Sequence, residues 1–592
     1  VLALEKELSL PEPLLRLLVA RGHTTAEAAQ AFLNPSFDQL HDPRRMLGMD
    51  SAVARLRSAL ATQEPVLIYG DYDVDGTVAT VLLKTACERA AAAMGVSADV
   101  RYHIPHRIRE GYGMQDSRIA SAAAEGVRLV VSVDTGIRAF AAAEEAKRVG
   151  LDLIVTDHHL PDGAEGVPDA VAVLNPNQPG CTYPYKELCG AAVAFKFAQA
   201  LLESTANSDE ERARLREKTL PSFLKLLAVA TIADAVPLTG ENRVIAALGL
   251  RELRRPSQMG LRVLMELAEI DATRPISAAD IGFRLAPRIN AAGRMDIASD
   301  VVDLFLTKDP ALARTLAEKL HRLNDERRAS EAGALRAIEA TMETMTLSDA
   351  GLPAALVLDD GEERTWHRGV IGILASRVVD RTARPALVIT HEDGQAYGSG
   401  RSVRGFHLLD ALTSIHSAGE TALLTRFGGH AYAVGFSLPS SGVEELRRRL
   451  EVYAATHLPS TDQIETLDCD AQLDLSALTP EFLALLEQLG PFGMGNPEPV
   501  FVSLGVRLVA APKTIKERHL RLQVEDGEGG RRIGGMAWSR KTDWAAEAQR
   551  EGWKQGDLLD VAYRLHRNWH PEFGGWELEV LSVRSPLTEK SV

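Results

Sequence analysis

The chain has 592 residues, 45% hydrophobic and 25% charged, with a formal net charge of −15, which excludes a disordered chain and leaves room for about three or four domains. Four cysteines (Cys87, Cys181, Cys189 and Cys469) without a C-x-x-C pair exclude a disulfide scaffold. No apolar run reaches about 18 residues and no basic-then-apolar opening reads as an export signal, so a cytoplasmic protein without a membrane span is expected.

Residues 1–45 read as a helical preamble, with Leu-rich spacing over Leu8–Val19 and a helix over Thr25–Leu33. From about residue 50 to 240, short β-branched runs (Val66–Tyr69, Leu129–Val133, Leu151–Thr156 and Val171–Leu174) alternate with helical stretches (Val78–Met94, Phe140–Val149 and Ala191–Glu203). Strands that alternate with helices predict a parallel sheet with crossover connections. Pro310 to about Met345 reads as one long connecting helix, with Asp309 as its cap. A second α/β segment follows, with strands at Ala355–Leu358, Ala386–Ile389 and Gln395–Ser399 and helices at Val370–Arg381 and Gly405–Leu412. From residue 460 onward short strands between Gly-rich turns predict a small β-barrel (Val500–Val509, Leu520–Asp526, Arg532–Trp538, Leu558–Leu565 and Trp576–Val583). Basic residues slightly outnumber acidic ones after Phe501, and five of the six tryptophans fall there. The predicted organisation is 1–45, 46–305, 306–348, 349–459 and 460–592.

Acidic and imidazole residues stand at the ends of three predicted strands: Asp71-Tyr72-Asp73-Val74-Asp75-Gly76, Asp134-Thr135-Gly136 and Asp157-His158-His159. Ligands of an open parallel sheet bind beyond the carboxyl ends of its strands, so these clusters are expected to gather at one edge. Asp234, at the end of the apolar helix Leu224–Ala233, is a fourth candidate. Brought together, these carboxylates repel unless they are protonated or held by cations. Oxygen and imidazole donors without thiolate suit Mn²⁺ or Mg²⁺. A single Asp at a strand end is usually a turn or cap residue. The D-x-D-x-D-G run also echoes a calcium loop, but the twelfth position is Leu82 instead of Glu. Three clusters together favour a metal site.

The trio Asp71–Gly76, Asp134 and Asp157-His158-His159 resembles the DHH phosphoesterase superfamily. Four further stretches are similar to the RecJ family of bacterial single-strand DNA exonucleases within it: Pro287–Arg294 (PRINAAGR), Trp366–Gly372 (WHRGVIG), Ser399–Ser402 and Gly428-Gly429-His430. The resemblance implies a parallel-sheet α/β DHH domain, a long connecting helix, a second α/β DHH-associated domain and a C-terminal OB-fold β-barrel. It implies two divalent cations, Mn²⁺ or Mg²⁺. Asp73 and Asp134 would hold one, and Asp75, Asp134, His158 and Asp234 the other. Asp71 is then a ligand or stands behind the ligands. His159 would contact the scissile phosphate and Asp157 would orient the histidine pair. Metal-activated water would cut single-stranded DNA from its 5′ end to 5′-mononucleotides, in repair and recombination.

For the strand itself, Arg288, Asn290 and Arg294 are expected in one short loop. Ser399, Arg401 and His430 are expected in Gly-rich turns, and Arg107 and Tyr112 in a further loop. The C-terminal segment adds Lys513, Lys516, Arg518, Arg521, Arg531, Arg532, Arg540 and Lys541 near Trp538 and Trp544, although Trp in a small barrel is more often core. The resemblance extends to a single-strand-binding protein and a RecQ-type helicase as partners. Two other readings stay open: a superfamily phosphodiesterase acting on short oligonucleotides or small nucleotides, and a replication or repair scaffold without catalysis.

Overall fold

The computed structural model describes residues 2–111, 113–346, 352–361, 365–417, 422–458, 466–527, 529–539, 542–569 and 574–586. Five strands build the first sheet: β1 (Val66–Tyr69), β2 (Val100–His103), β3 (Leu129–Val133), β4 (Asp152–Thr156) and β5 (Ala172–Leu174). All are parallel, in the order β2-β1-β3-β4-β5. Their apolar runs are continuous because helices cover both faces. Val66, Ile68, Val131 and Ile154 enter one core and Leu67, Tyr69, Val130 and Val155 another, as the strand period requires. The chain leaves β1 first toward β2 and then crosses to β3 on the other side. A crevice therefore opens at the carboxyl ends of β1 and β3, where open α/β sheets place their ligands. The sequence reading missed β2, whose V-R-Y-H pattern is that of an edge strand and not of an apolar run.

The Pro310–Thr346 helix, 37 residues long, spans about 55 Å. Asp309 accepts the Ala311 amide at its start. Ala313, Ala317, Leu320 and Leu323 pack into the first core, and Ala334, Ile338 and Met342 into the next domain, so the helix joins the two.

That domain holds β6 (Leu356–Asp359), β7 (Ala386–Glu392), β8 (Gln395–Arg401), β9 (Arg426–Gly429) and β10 (Ala433–Pro439), in the order β6-β7-β8-β10-β9. Only β6 and β7 run parallel. The stretches Gly398–Arg401 and Gly428-Gly429 lie in strands and not in turns. Gly398, Gly400 and Gly429 make room for neighbours: a Cβ on Gly398 would fall 2.0 Å from the Phe436 ring.

The last sheet comprises β11 (Ala471–Gln472), β12 (Phe501–Leu508), β13 (Lys513–Ile515), β14 (His519–Glu525), β15 (Arg532–Ala537), β16 (Leu558–Asn568) and β17 (Gly575–Arg584). Its order is β11-β12-β16-β17-β15-β14-β13, and β12 also pairs with β14. Trp544 and Trp553 are buried in its core, while Trp538 and Trp569 are exposed. The N-terminal helices Glu12–Ala20 and Ala26–Leu33 belong to this same core: Leu14, Leu17, Leu18 and Phe32 pack with Leu473, Phe482 and Phe501. Sequence spacing could not reveal so distant a partner.

Two buried basic side chains tie these parts together. Arg243 lies 3.6 Å above the Phe32 ring and donates to the carbonyls of Phe32, Gln488 and Leu489. Lys196, fully buried, meets Glu241 at 2.6 Å and the His41 carbonyl at 2.8 Å. Glu241 also accepts from the Tyr183 hydroxyl at 2.7 Å and the His41 amide at 2.8 Å. Lys196→Met strands the Glu241 charge and is expected to cost about 3–5 kcal/mol, read as an earlier urea midpoint; Lys196→Met with Glu241→Gln, which removes the charge but keeps an acceptor for Tyr183 and His41, should recover most of it.

Candidate metal centre

β1 runs through Gly70 into Asp71, which is buried. Asp73 caps the Val74–Ala93 helix, its Oδ1 accepting the Gly76 amide at 3.0 Å. Asp75, in the first turn, accepts the amides of Gly190 (2.6 Å) and Ala191 (3.0 Å), the first two residues of the Gly190–Ser204 helix. A helix N-terminus is a favourable place for a carboxylate. Asp134 leaves β3 with a left-handed backbone, φ 59°. A Cβ on Gly190 would fall 2.3 Å from Asp134 Oδ1, so this approach requires glycine.

Asp157 leaves β4. Its Oδ2 accepts the Ile137 amide at 2.9 Å. Its Oδ1 accepts the His158 and His159 amides at 2.7 and 3.1 Å and meets His159 Nδ1 at 2.7 Å. Asn175 and Asn177, just past β5, donate to the carbonyls of His159 (2.8 Å) and His158 (3.0 Å). They occupy a fourth strand end, which the strand-end rule could have flagged. His158 Nε2 lies 3.4 Å from Asp134 Oδ1 and 3.8 Å from Asp234 Oδ2. Asp234 caps the C-terminus of the Leu224–Ala233 helix.

The four sequence clusters therefore meet. Donor atoms within 4.8 Å of one another group as Asp71–Asp73–Asp134, Asp75–His158–Asp234 and Asp134–His158–His159. Three buried oxygens here, Asp71 Oδ1, Asp134 Oδ1 and Asp234 Oδ2, have no hydrogen-bond partner among the described residues. Buried polar atoms are seldom left so, and divalent cations fit what these oxygens lack. Burial, then Asp73, pushes the Asp71 carboxyl well up. Burial, then Asp75 and Asp73, does the same to Asp134 and raises Asp234 to about 9. Asp157 goes the other way: burial opposes ionisation, but the His159 bond and charge outweigh it and lower its pKa. For His159, burial is outweighed by the Asp157 bond and by surrounding carboxylates, which lift it to about 9. Burial lowers His158 despite Asp75, leaving a neutral ring suited to a metal ligand.

The centre opens into a cavity of about 700 Å³, which Tyr72, Arg107, Arg138, Asn290, Arg294 and His430 also line. Arg107 stacks over the Tyr72 ring at 5.0 Å. Asn290 Oδ1 accepts the Val74 amide at 3.2 Å, which steadies the metal loop. Ser399 and Arg401 sit together on β8, Nη1 to Oγ 3.2 Å. Neither they nor Arg288 line the cavity, and Arg288 is turned away from it. The PRINAAGR stretch is not a loop but the helix Ala286–Met295. Asn290, Gly293 and Arg294 share one face, and Arg288 lies about 200° away from Asn290. Its guanidinium meets His321 Nδ1 (3.1 Å) and the Arg284 carbonyl (2.5 Å) instead. Tyr112, Arg540 and Lys541 lie outside the described residues. Tyr72, Arg138, Gly190 and Ala191 escaped the sequence reading; for the last two no local signal existed, since their partners are more than fifty residues away.

Family models match a DHH family N-terminal domain over residues 65–231, a DHHA1 domain over 354–456 and a RecJ OB domain over 469–580. The single-stranded-DNA-specific exonuclease RecJ of Dickeya dadantii is 37% identical over 571 residues, covering 96% of this chain and 94% of that protein. The chain belongs to the RecJ family. The RecJ of Bacillus subtilis is 38% identical over 533 residues, and the matched region spans 89% of this chain but 63% of that protein. A crystal structure of RecJ from Thermus thermophilus in complex with Mn²⁺ matches with a TM-score of 0.77 at 30% identity, covering 99% of this chain and 78% of that one. Asp234 lies just past the DHH match, and the RecJ OB match falls on the β11–β17 sheet.

Two measurements probe the centre. Gly190→Ala is expected to displace Asp134 and to weaken Mn²⁺ binding about tenfold or more, by calorimetric titration, with an unchanged circular dichroism spectrum. Asp71, Asp134, Asp234 and His159 all bind a proton more tightly folded than unfolded. Without metal, their stabilising contribution is lost as pH rises through the folded values, near 9 for Asp234 and His159. Chelator-treated protein should therefore melt lower at about pH 9.5 than at about pH 7, and Mg²⁺ should remove most of the difference.

Proposed function

We propose that the chain is a divalent-cation-dependent exonuclease that hydrolyses single-stranded DNA from the 5′ end to 5′-mononucleotides, in DNA repair and recombination. The observation that carries this reading is the buried crevice in which three carboxylate oxygens lack a hydrogen-bond partner among the described residues. In it, Asp73 and Asp134 hold one ion, Asp75, Asp134, His158 and Asp234 hold the second, and Asp71 completes or backs the first set. Asp134 groups with Asp71 and Asp73 and its Oδ1 lies 3.4 Å from Nε2 of His158, a member of the other set, which supports a role for it in both. When bound, the cations supply Lewis acidity and a more acidic water.

The rest is done by the chain. Asp157 fixes the His159 ring and favours its cationic form, a charge suited to a phosphoryl oxygen. Arg107, Arg294 and Arg401 form no ion pair among the described residues. Burial, and next the charge of Arg107, pulls down the pKa of both Arg294 and Arg401. Crowded guanidinium groups without an ion-pair partner among the described residues suit phosphates of the incoming strand, and His430, with Arg107 and Arg294, lines the cavity. Exposed Lys513, Lys516, Arg518 and Arg521 on and beside β13 and β14, with exposed Trp538 nearby, suit a strand that continues over the C-terminal sheet.

In this reading 46–305 is the catalytic domain, 306–348 the connecting helix and 349–459 the associated domain. Residues 460–592 form the nucleic-acid-binding domain, to whose core the helices within 1–45 contribute. Among the described residues no helix is long and apolar enough to cross a membrane, and work on chromosomal DNA fits the cytoplasm. A RecQ-type helicase that exposes single strands and a protein that coats them are the partners such a substrate calls for.

Asp134→Ala is expected to abolish nucleotide release in Mn²⁺ while binding of single-stranded DNA at low salt survives. With an oligomer labelled at either end, the 5′ label should leave first, as a mononucleotide. A 3′ label leaving first would overturn the polarity, and release that survives chelation would overturn the metal.

A further inference from the structure

Arg294 reaches the cavity from the catalytic domain, but its guanidinium is held from outside that domain. Among the described residues its hydrogen bond goes from Nη1 to the Gly369 carbonyl of the associated domain, at 3.2 Å. The main chains also touch. A Cβ on Gly369 would fall 2.4 Å from the Arg294 carbonyl oxygen, a backbone atom that cannot rotate away. One residue earlier in the same helix, a Cβ on Gly293 would fall 2.3 Å from the carbonyl oxygen of Tyr72, the residue between Asp71 and Asp73. The Ala286–Met295 helix is thus held against both the metal loop and the turn at Gly369.

That turn is itself firmly held. The Gly369 amide donates to His367 Nδ1 at 3.0 Å. Asp360, buried, accepts the Trp366 amide at 3.0 Å, the Thr390 hydroxyl at 2.7 Å and the His391 amide at 3.1 Å. Trp366 is packed in the core below.

We propose that Gly369 is a positioning residue for substrate: the main chain of the associated domain aims the Arg294 guanidinium at a phosphate of the bound strand, and only glycine allows the two domains to close far enough to do so. A methyl group at position 369 must open the contact by about 1 Å, a displacement large enough to spoil an aligned contact. The cavity is therefore complete only when the two domains are docked, although every metal ligand belongs to one of them. The inference rests on the reading of the cavity as a site for single-stranded DNA.

The test uses the full chain in an Asp134→Ala background, with affinity for a single-stranded oligomer followed by fluorescence anisotropy against salt. Gly369→Ala is expected to lower affinity about tenfold and to make the slope of log K against log salt shallower by about one. Arg294→Gln should give the same two changes, and the combination no more than either alone. Gly333→Ala, on the connecting helix where a Cβ meets nothing within 4 Å, should match the parent. Unchanged affinity in Gly369→Ala, or losses that add to those of Arg294→Gln, would overturn the proposal. If Gly369→Ala does not fold, Asp360→Asn loosens the same turn without adding an atom to the contact; the same non-additivity is expected there, and additive losses overturn the idea equally. A parent that binds without any salt dependence would instead overturn the reading of the cavity.

Discussion

Carboxylates that share one buried crevice repel each other, and much of the catalytic domain is arranged to hold them there despite that repulsion. Strand ends at the switch between β1 and β3 bring Asp71, Asp134 and Asp157 to one edge. Two of the acids are satisfied by the chain itself: Asp75 by the first amides of the Gly190–Ser204 helix, and Asp157 by three amides and an imidazole. Asp71, Asp134 and Asp234 each keep an oxygen without a donor. The same residue type thus serves two purposes. Oxygens given donors orient their carboxylates, Asp73 and Asp75 included, and the oxygens left without a donor are reserved for cations.

The histidine pair divides along the same line. His159 is tied to Asp157 and pushed toward the cation, while His158 stays neutral beside Asp134 and Asp234. Adjacent residues of one type acquire opposite charge preferences because one ring has a private counter-ion and the other is buried among acids that themselves favour the neutral form.

Most of the first domain was legible because its strands are unbroken apolar runs that end in charged clusters. Asp71, Asp73, Asp75, Asp134, Asp157 and the histidine pair could be found from that pattern, whereas Asp234 follows an apolar helix and the division into two ion sites came from the resemblance. Arg288 could not be placed, because Pro287 and Gly293 make PRINAAGR look like a loop. Pro287 instead occupies the first turn of the helix, where proline is tolerated, and Gly293 is there for a close approach to Tyr72 and not for a bend. The glycines of β8 misled in the same way: they look like turn residues, but Gly398 clears space for the Phe436 ring and Gly400 for Leu387, Val434 and Leu408. Contacts such as Gly190 against Asp134, or Leu14 against the C-terminal sheet, depend on residues too far apart in sequence for any local pattern to register.

The shared core of the N-terminal helices and the last sheet has a consequence for how the chain is made. Leu14, Leu17, Leu18 and Phe32 leave the ribosome early, but Leu473, Phe482 and Phe501 follow only after the catalytic domain, the connecting helix and the associated domain have all been translated. At roughly 5–20 residues per second, that apolar stripe stays bare for tens of seconds. In this interval the nascent chain offers a sticky surface that only a chaperone, or a wrong partner, can cover.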